Sequence, residues 1–463
     1  MSQTDPTLEE LTSLAKRRGF VYQGSEIYGG LSGTWDYGPM GVELKRNLRE
    51  LWWRKFVSGR SDVYGLDSAI LMNPQVWQSS GHTGAGFADP LVEDMKTGQR
   101  YRADHLLEDN GVADAETLNL SQIDALIQER GITSPEGNPL SSAREFNMMF
   151  ETHVGAVASE EAKTYLRPET AQGMFVNFKN VVDSLYPDLP FGLAQAGRCF
   201  RNEISPREFL FRVREFEIME LEYFIEPDEW HEVFEHWRRE FYSWCEAIGL
   251  DTKKVHELDV PEADRAHYSD KTIDFEYEFS FGTKEIGAVA YRTDFDLHNH
   301  MQHSGEKLEY IKKGSSERFI PHVIEPTWGL DRNLLAVLAE AYTREATEEG
   351  ERVVLRLRPE LAPVKVAVFP LLQNKPELVE KAREVYQQLQ GRFGSVMWDG
   401  GGNIGKRYRK QDEIGTPACV TVDFDTLEDD TVTVRDRDTM SQQRLSIDDL
   451  TAALDAKISS DQR

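Results

Sequence analysis

Two stretches of this chain carry residue types able to handle phosphate and a purine. The first runs from Gly197 to Glu220 and sets Arg201, Glu203, Arg212, Arg214 and Glu220 among Phe200, Phe211 and Phe216. If the arms on either side of Ile204–Glu208 are strands, side chains two apart share a face. Arg201 and Glu203 then point one way on the outgoing arm, and Arg212, Arg214, Phe216, Ile218 and Glu220 share a face on the return. An aromatic between a guanidinium and a carboxylate makes a platform for a purine, with Arg212 reaching phosphate and Phe216 stacking the base. The same residues would also serve as a solvated ladder of cross-strand ion pairs. The second stretch, Glu325-Pro326-Thr327-Trp328-Gly329-Leu330-Asp331-Arg332, ends a strand and opens a helix. Arg332 falls in the first helical turn, where the macrodipole disfavours a cation unless an anion lies beside it or the side chain reaches solvent.

The elements that must position these residues follow from periodicity. Asp5 and Pro6 read as the start of a first helix with Leu8, Leu11 and Ala15 on one face, ended by Gly19. A glycine-rich stretch, 24–41, precedes a second helix with Leu44, Leu48, Leu51 and Phe56 at helical spacing beside Trp52 and Trp53. The acidic, helix-prone segment of about 103–145 reads as an insertion. Strands are expected over 191–224, 272–293 and 323–325, a turn at 326–329, and helices over 229–248 and 330–344. The Pro-flanked segment 358–363 reads as a linker, and beyond it strands alternate with helices as in a small α/β domain. The expected division is a larger domain, 1–357, and a smaller one, 358–463.

Composition sets limits. The chain has 463 residues, of which 40% are hydrophobic and 29% charged, an ordinary mix for a folded protein of two or three domains. Its 53 Lys+Arg against 80 Asp+Glu give a net charge of −27, which excludes a non-specific DNA coater but not a nucleic-acid partner held by a local basic patch. Cys199, Cys245 and Cys419 are too far apart for a CxxC zinc site or a disulfide scaffold and fit a reducing compartment. No signal-like or membrane-spanning apolar run is apparent, so a cytoplasmic location off the membrane is expected.

Phe200-Arg201-Asn202-Glu203 followed by Phe211-Arg212 resembles motif 2 of the class II aminoacyl-tRNA synthetases. Gly329-Leu330-Asp331-Arg332 resembles their motif 3, and Tyr37-Gly38-Pro39-Met40-Gly41 with the helix after it their motif 1. Further segments are similar to the dimeric glycyl-tRNA synthetase family: Arg17-Arg18-Gly19-Phe20, Phe146-Asn147-Met148-Met149-Phe150, Arg167-Pro168-Glu169-Thr170 and Arg292-Thr293-Asp294-Phe295-Asp296. The run 403–417 resembles that family's anticodon-binding domain. The similarity spans nearly the whole chain apart from the insertion and the last dozen residues.

The resemblance implies an α+β catalytic domain, an antiparallel sheet flanked by helices, and a C-terminal α/β anticodon-binding domain with a mixed sheet. It implies an ATP-dependent ligase: glycine's carboxylate attacks the α-phosphorus of ATP, and the glycyl group passes to the 3′ end of tRNA(Gly). By the same resemblance Arg201 and Arg332 are catalytic. Arg201, Asn202, Glu203, Phe211, Arg212, Phe216, Glu285, Ile286, Gly329 and Arg332 bind ATP, and Glu285 holds Mg²⁺. Arg102, Glu169, Phe216, Glu217, Glu220, Arg292, Glu325, Thr327 and Gly329 bind glycine, and Lys406, Arg407 and Arg409 contact tRNA. No zinc is expected. A homodimer is implied, with Leu44, Leu48, Trp52 and Trp53 as anchors. A non-catalytic accessory subunit and a sister synthetase for threonine, proline or histidine are the alternatives; the intact arginines and the Glu-rich pocket argue against them.

Two residues depart from the family pattern: Thr327 stands where serine is usual, and Ala288 where glycine is usual. Glu285 and Arg292, seven apart, would fall on opposite faces of a regular strand unless a bulge near Gly287 intervenes. His298, His300 and His303 look like a metal cluster in a loop but match no zinc spacing. Gly400–Lys406 has the wrong spacing for a phosphate loop and reads as a turn before a nucleic-acid-facing helix.

Overall fold

A computed structural model of the protein describes residues 5–84, 87–112, 115, 118–262, 265–347 and 350–459. Its centre is a seven-stranded sheet of β1 (Val63–Gly65), β2 (Phe191–Phe200), β3 (Glu215–Ile225), β4 (Val255–Asp259), β5 (Lys271–Phe279), β6 (Gly282–Thr293) and β7 (His322–Gly329). The spatial order is β4-β5-β6-β7-β3-β2-β1, and every pairing is antiparallel except β1 with β2.

Alternation along β3 explains the layers. Met219, Leu221, Tyr223 and Ile225 enter the main core with Trp52, Phe56, Trp237, Phe241, Trp244 and Trp328. That core lies between the sheet and the helices α2 (Pro39–Trp53), α4 (Trp230–Ala247) and α6 (Leu330–Ala341), which follow α1 (Leu8–Arg17) in this layer. Phe224 joins Phe191, Leu193 and Val323 on the opposite face, under α3 (Ala171–Leu185) and α5 (Phe295–Ser304). These two helices cover one end of that face. The rest of it carries Phe216, Ile218 and Glu220 into a cavity.

Several expectations are corrected. α1 is capped by Thr7, whose side chain and Glu10 form a reciprocal capping box, so it starts after Asp5 and Pro6. β3 begins at Glu215, leaving Arg212 and Arg214 in the loop before it. β7 runs through Pro326 without the expected turn. α6 ends at Ala341, and the alternating residues Tyr342–Thr347 pair with Gly350–Leu355 as a hairpin. Segment 358–363 is no exposed linker: Leu361 and Ala362 are buried, and the Asn47 amide donates to both their carbonyls at 3.1 and 3.2 Å. Leu44, Leu48 and Trp52 are fully buried within their own chain because α2 packs on α6 and Trp52 meets Trp328 edge-on, so they cannot anchor a second copy. The histidines at 298–303 lie on α5, not a loop: His300 contacts Gln172, while His298 and His303 hold neighbours on the helix.

The expected bulge exists. Phe275 pairs with Gly287 and Glu276 with Glu285, so Ile286 is the extra residue and turns into the core. This puts Glu285 on the same face as Ala288, Ala290 and Arg292. Gly287 is required there by close approach, since a Cβ would lie 2.4 Å from the Thr327 carbonyl and 2.6 Å from the Phe241 ring.

A separate lobe is built from strands Ala88–Glu93, Arg100–Arg102 and Arg144–Asn147 with helices Ala103–Asp109 and Leu120–Arg130 around Val92, Leu107 and Ile123. The C-terminal region holds β8 (Val366–Pro370), β9 (Val396–Trp398), β10 (Ala418–Val422), β11 (Thr431–Asp436) and β12 (Gln442–Ser446) in the order β9-β8-β10-β11-β12. The sheet is mixed, as expected, and packs with α7 (Pro376–Phe393), α8 (Ile404–Ile414) and α9 (Ile447–Ser459). Among the described residues no helix is long and apolar enough to cross a membrane, and all three cysteines are buried and unbridged.

Candidate active site

A cavity of about 350 Å³ opens on the uncovered sheet face, lined by β3, β5, β6, β7, the start of α6, the loop 201–214 and Arg102 of the lobe. Its inner end is dense in buried charge. Glu220 of β3, Glu325 and Thr327 of β7, and Arg292 of β6 converge there, joined by Glu169 from the turn before α3. Arg292 is fully buried and clamps Asp296 through two bonds, 2.8 and 2.9 Å, and Glu325 through a third. Tyr268 lies 3.6 Å beneath its guanidinium. The Thr327 hydroxyl is 3.2 Å from both Glu220 and Glu325 and can give its one proton to either. Glu220 also accepts from the backbone and hydroxyl of Thr170 at 2.9 and 2.6 Å.

Burial and neighbours split these carboxyls. Burial pushes Glu325 up to about 8 despite Arg292. Glu220 is raised by burial and then by Glu169. Burial opposes ionisation of Glu169 as well, but His82, 3.2 Å away, and Arg292 hold it well below its usual range. One short cavity wall therefore holds both a carboxyl pushed toward its ionised form and carboxyls pushed toward their neutral form.

The outer end is more open and rich in arginine. Arg201 stands over Phe216 (5.4 Å) and Phe87 (5.6 Å). Arg212 contacts Glu203 at 3.2 Å, and Arg332 contacts Glu285 at 2.7 Å and lies 4.4 Å above Phe211. Asp274, across from Ala288, is pushed up to about 7 by burial and by Glu285. Arg102 spans Asp89 at 2.7 Å and Asp104 at 3.0 Å. Gly329 lines the cavity at the start of α6, its bare Cα beside the Arg332 side chain.

The structure thus brings most of the expected residues together, with exceptions. Asn202 lines a neighbouring crevice, its N–H given to the Met148 carbonyl at 2.7 Å. Ile286 is buried in the core. Arg214 turns away to the carbonyls of Glu203 (3.0 Å) and Ser32 (2.7 Å) because it precedes the strand. Glu217 borders the cavity, but its carboxylate meets Lys45 at 3.1 Å. Its N–H and Lys45 both bond Asp331, which also accepts from the Tyr37 hydroxyl. In the C-terminal region Arg407 is buried and donates to the carbonyls of Pro370 (2.5 Å), Gly401 (3.2 Å) and Gly402 (2.8 Å), holding the turn. Arg407 is a loop brace there, not a surface contact. Arg409 reaches the Glu351 carbonyl at 2.7 Å, whereas Lys406 is exposed at the first turn of α8, which Asn403 caps.

Sequence reasoning missed two partners of the site. His82 follows a short helix and was unremarkable in sequence. His105, on the lobe's first helix, accepts from Arg212 at 2.8 Å. Burial and then Arg102 hold it neutral, down at about 3. Its only signal was closeness in sequence to Arg102.

Residues 150–341 match the family described as tRNA synthetase class II core domain (G, H, P, S and T), and residues 365–457 the one described as anticodon binding domain. The glycine–tRNA ligase of Geobacillus thermodenitrificans is 48% identical over 460 residues, covering 98% of each chain. Those of Clostridium acetobutylicum and Deinococcus radiodurans are each 47% identical, over 463 and 505 aligned residues, covering 98% of this chain and 99% of theirs.

Proposed function

Since the chain belongs to the glycine–tRNA ligases of the class II aminoacyl-tRNA synthetase family, we propose how its cavity divides that family's reaction among its residues. The enzyme uses ATP to join glycine to tRNA(Gly) through a glycyl-adenylate. Glycine's ammonium sits among Glu169, Glu220, Glu325 and the Thr327 hydroxyl, with Arg292 fixing Glu325. Glycine has no side chain to grip, so the site recognises it by the ammonium and by leaving no room beyond the α-carbon. Ala288 and Thr327, opposite each other in β6 and β7, form that wall.

Arg201 lies between the two ends and bridges the amino-acid carboxylate and the α-phosphate, so that attack needs little further ordering. Its planar fork neutralises the charge that builds up at phosphorus. Phe216 carries the adenine, Glu203 accepts from its amino group, and Arg212 and Arg332 hold the β- and γ-phosphates. Arg102 closes the cavity from the lobe. Glu285, paired with Arg332, and Asp274 beside it offer hard carboxylate oxygens, a donor set that fits Mg²⁺. When bound, the ion neutralises phosphate charge.

The observation that carries this division is the single sheet face that places an ammonium-sized acidic end and an arginine-lined end in one cavity. tRNA binding across the C-terminal sheet and α8, a larger domain ending near residue 357, a homodimer, and work in the cytoplasm complete the reading. Buried unbridged thiols support the last. Pyrophosphate exchange with each of the twenty amino acids tests it: exchange with glycine alone is expected, and equal exchange with alanine would overturn the assigned wall.

A further inference from the structure

One buried acid next to the cavity has no task in the reaction as described. Glu222 is fully buried, and among the described residues neither of its carboxyl oxygens has a hydrogen-bond partner. It lies behind Glu220 on the same face of β3. The β3–β7 ladder pairs Glu220 with Thr327 and Tyr223 with Ile324, and between them it lapses, because Pro326 has no N–H to give. In that gap Glu222 falls opposite Glu325, and oxygens of Glu220, Glu222 and Glu325 lie within 4.8 Å of one another.

Among the described residues no uncommitted cation faces it. Glu220 neighbours it on its own strand, Glu325 faces it from β7, Asp296 from α5, and across β2 stands Leu193. Arg292 of β6 is the nearby cation, and it is already committed to Asp296 and Glu325. A bare carboxylate with no bonds cannot persist in such a place, since burying an unpaired charge costs far more than protonating it.

We propose that Glu222 is a neutral carboxylic acid that keeps its proton and donates it in a hydrogen bond to the Glu325 carboxylate, thereby positioning Glu325 for the ammonium of glycine. This rests on the glycine pocket assigned above. Burial and Glu325 both push the Glu222 carboxyl well above its usual range, in keeping with a held proton. The arrangement has a clear use. Glu325 must be ionised to receive an ammonium, yet it sits among other acids. A donor behind it favours its charged form and fixes which oxygen faces the cavity. Glu222 acts through Glu325 and touches no substrate.

The test is glycine-dependent pyrophosphate exchange by the full-length enzyme, measured against glycine concentration and pH, for wild type, Glu222→Gln, Glu222→Leu and Glu220→Gln. An amide is a neutral donor of the same shape, so Glu222→Gln should keep the glycine KM within about threefold and leave the pH profile in place. Glu222→Leu removes the donor, so it should raise the glycine KM about tenfold, spare kcat, and move the acid limb of kcat/KM to higher pH. A tenfold loss in Glu222→Gln would show that the negative charge is used, and would overturn the proposal. So would an unchanged KM and pH profile in Glu222→Leu, which would make Glu222 mere filling. Glu220→Gln separates the two levels: if it leaves the glycine KM untouched, the pocket assignment itself falls. Should Glu222→Leu fail to fold, infrared spectroscopy decides, because the protonated-acid carbonyl band of wild type must lose the intensity of one carboxyl in Glu222→Gln, and an unchanged band would overturn the proposal.

Discussion

The two ends of the cavity solve opposite problems. At the glycine end Arg292 is fully buried and its guanidinium is already engaged by Asp296 and Glu325. At the nucleotide end the side chains of Arg212 and Arg332 are each 27% exposed and Glu285 is 40% exposed. On the proposed division the first end meets a group whose charge never changes through adenylate formation, so it can be rigid and dry. The second then meets a triphosphate that leaves as pyrophosphate, and its arginines rest on carboxylates they can exchange for phosphate. Rigidity belongs where selectivity is needed, and adaptable charge where the reaction changes the ligand.

Removing one arginine from each end should break the two ends in different ways. Arg332→Gln should lower pyrophosphate exchange by about 100- to 1,000-fold, the order lost with one transition-state donor, while costing roughly 1 kcal/mol or less of stability, since its pair is solvent-screened. Arg292→Gln should cost about 3–5 kcal/mol of stability, because Glu325 and Asp296 are left buried without a cation. Urea unfolding beside exchange kinetics measures both. Equal stability losses would erase the distinction. Arg201 spans both ends, and Arg201→Lys should lose exchange by about 1,000-fold with the fold intact, because a point charge cannot bridge carboxylate and phosphate in fixed geometry. Near-normal exchange would remove it from the reaction.

Protonation sharpens the comparison. Glu325 is charged only above about 8 in the free enzyme, and the ammonium of glycine needs the charged form. As pH falls below that value the charged fraction drops, so kcat/KM for glycine should fall about tenfold per pH unit. The nucleotide end has no such requirement among its arginines, and the KM for ATP should change far less over the same range. A parallel decline in both would mean that the limb belongs to another group.

The lobe supplies a smaller effect. His105 accepts from Arg212, and without it the guanidinium loses one of the two side chains, His105 and Glu203, that contact it among the described residues. His105→Ala should raise the KM for ATP about five- to tenfold and leave the KM for glycine unchanged. His105→Gln, which still offers an acceptor, should recover part of the loss. If both substrates are affected alike, His105 supports the fold of the lobe and not Arg212.

How far sequence reached follows the same divide. Strand alternation gave Phe216, Ile218 and Glu220 a common face, and the seven-residue offset of Glu285 and Arg292 required the bulge that Ile286 makes. Both are local consequences of period two. Reading Arg212 and Arg214 onto that face failed, since the loop 201–214 reverses before the strand begins. Arg407 misled because basic spacing on a helix does not show which side the core takes, and here the guanidinium braces three carbonyls. His105, His82 and the meeting of Tyr37, Lys45 and Glu217 on Asp331 are contacts between segments far apart in the chain. No periodicity encodes those, and only the fold brings them together.

The smallest expected effect tests the wall that makes the glycine end selective. Thr327 offers its hydroxyl to Glu220 and Glu325, and across the ladder it faces Ala288. Serine at this position keeps the hydroxyl and opens a gap the size of one methyl. A methyl-sized gap in such a wall is worth about 1–3 kcal/mol to a substrate that fills it. Thr327→Ser should therefore activate glycine nearly as well as wild type and alanine roughly tenfold better than wild type does. Steady-state pyrophosphate exchange with the two amino acids measures the ratio directly. If the ratio does not move, the Thr327 methyl lies outside the wall and Ala288 alone closes it. Ala288→Gly should then relax the same selectivity, because it opens the cavity from the opposite strand.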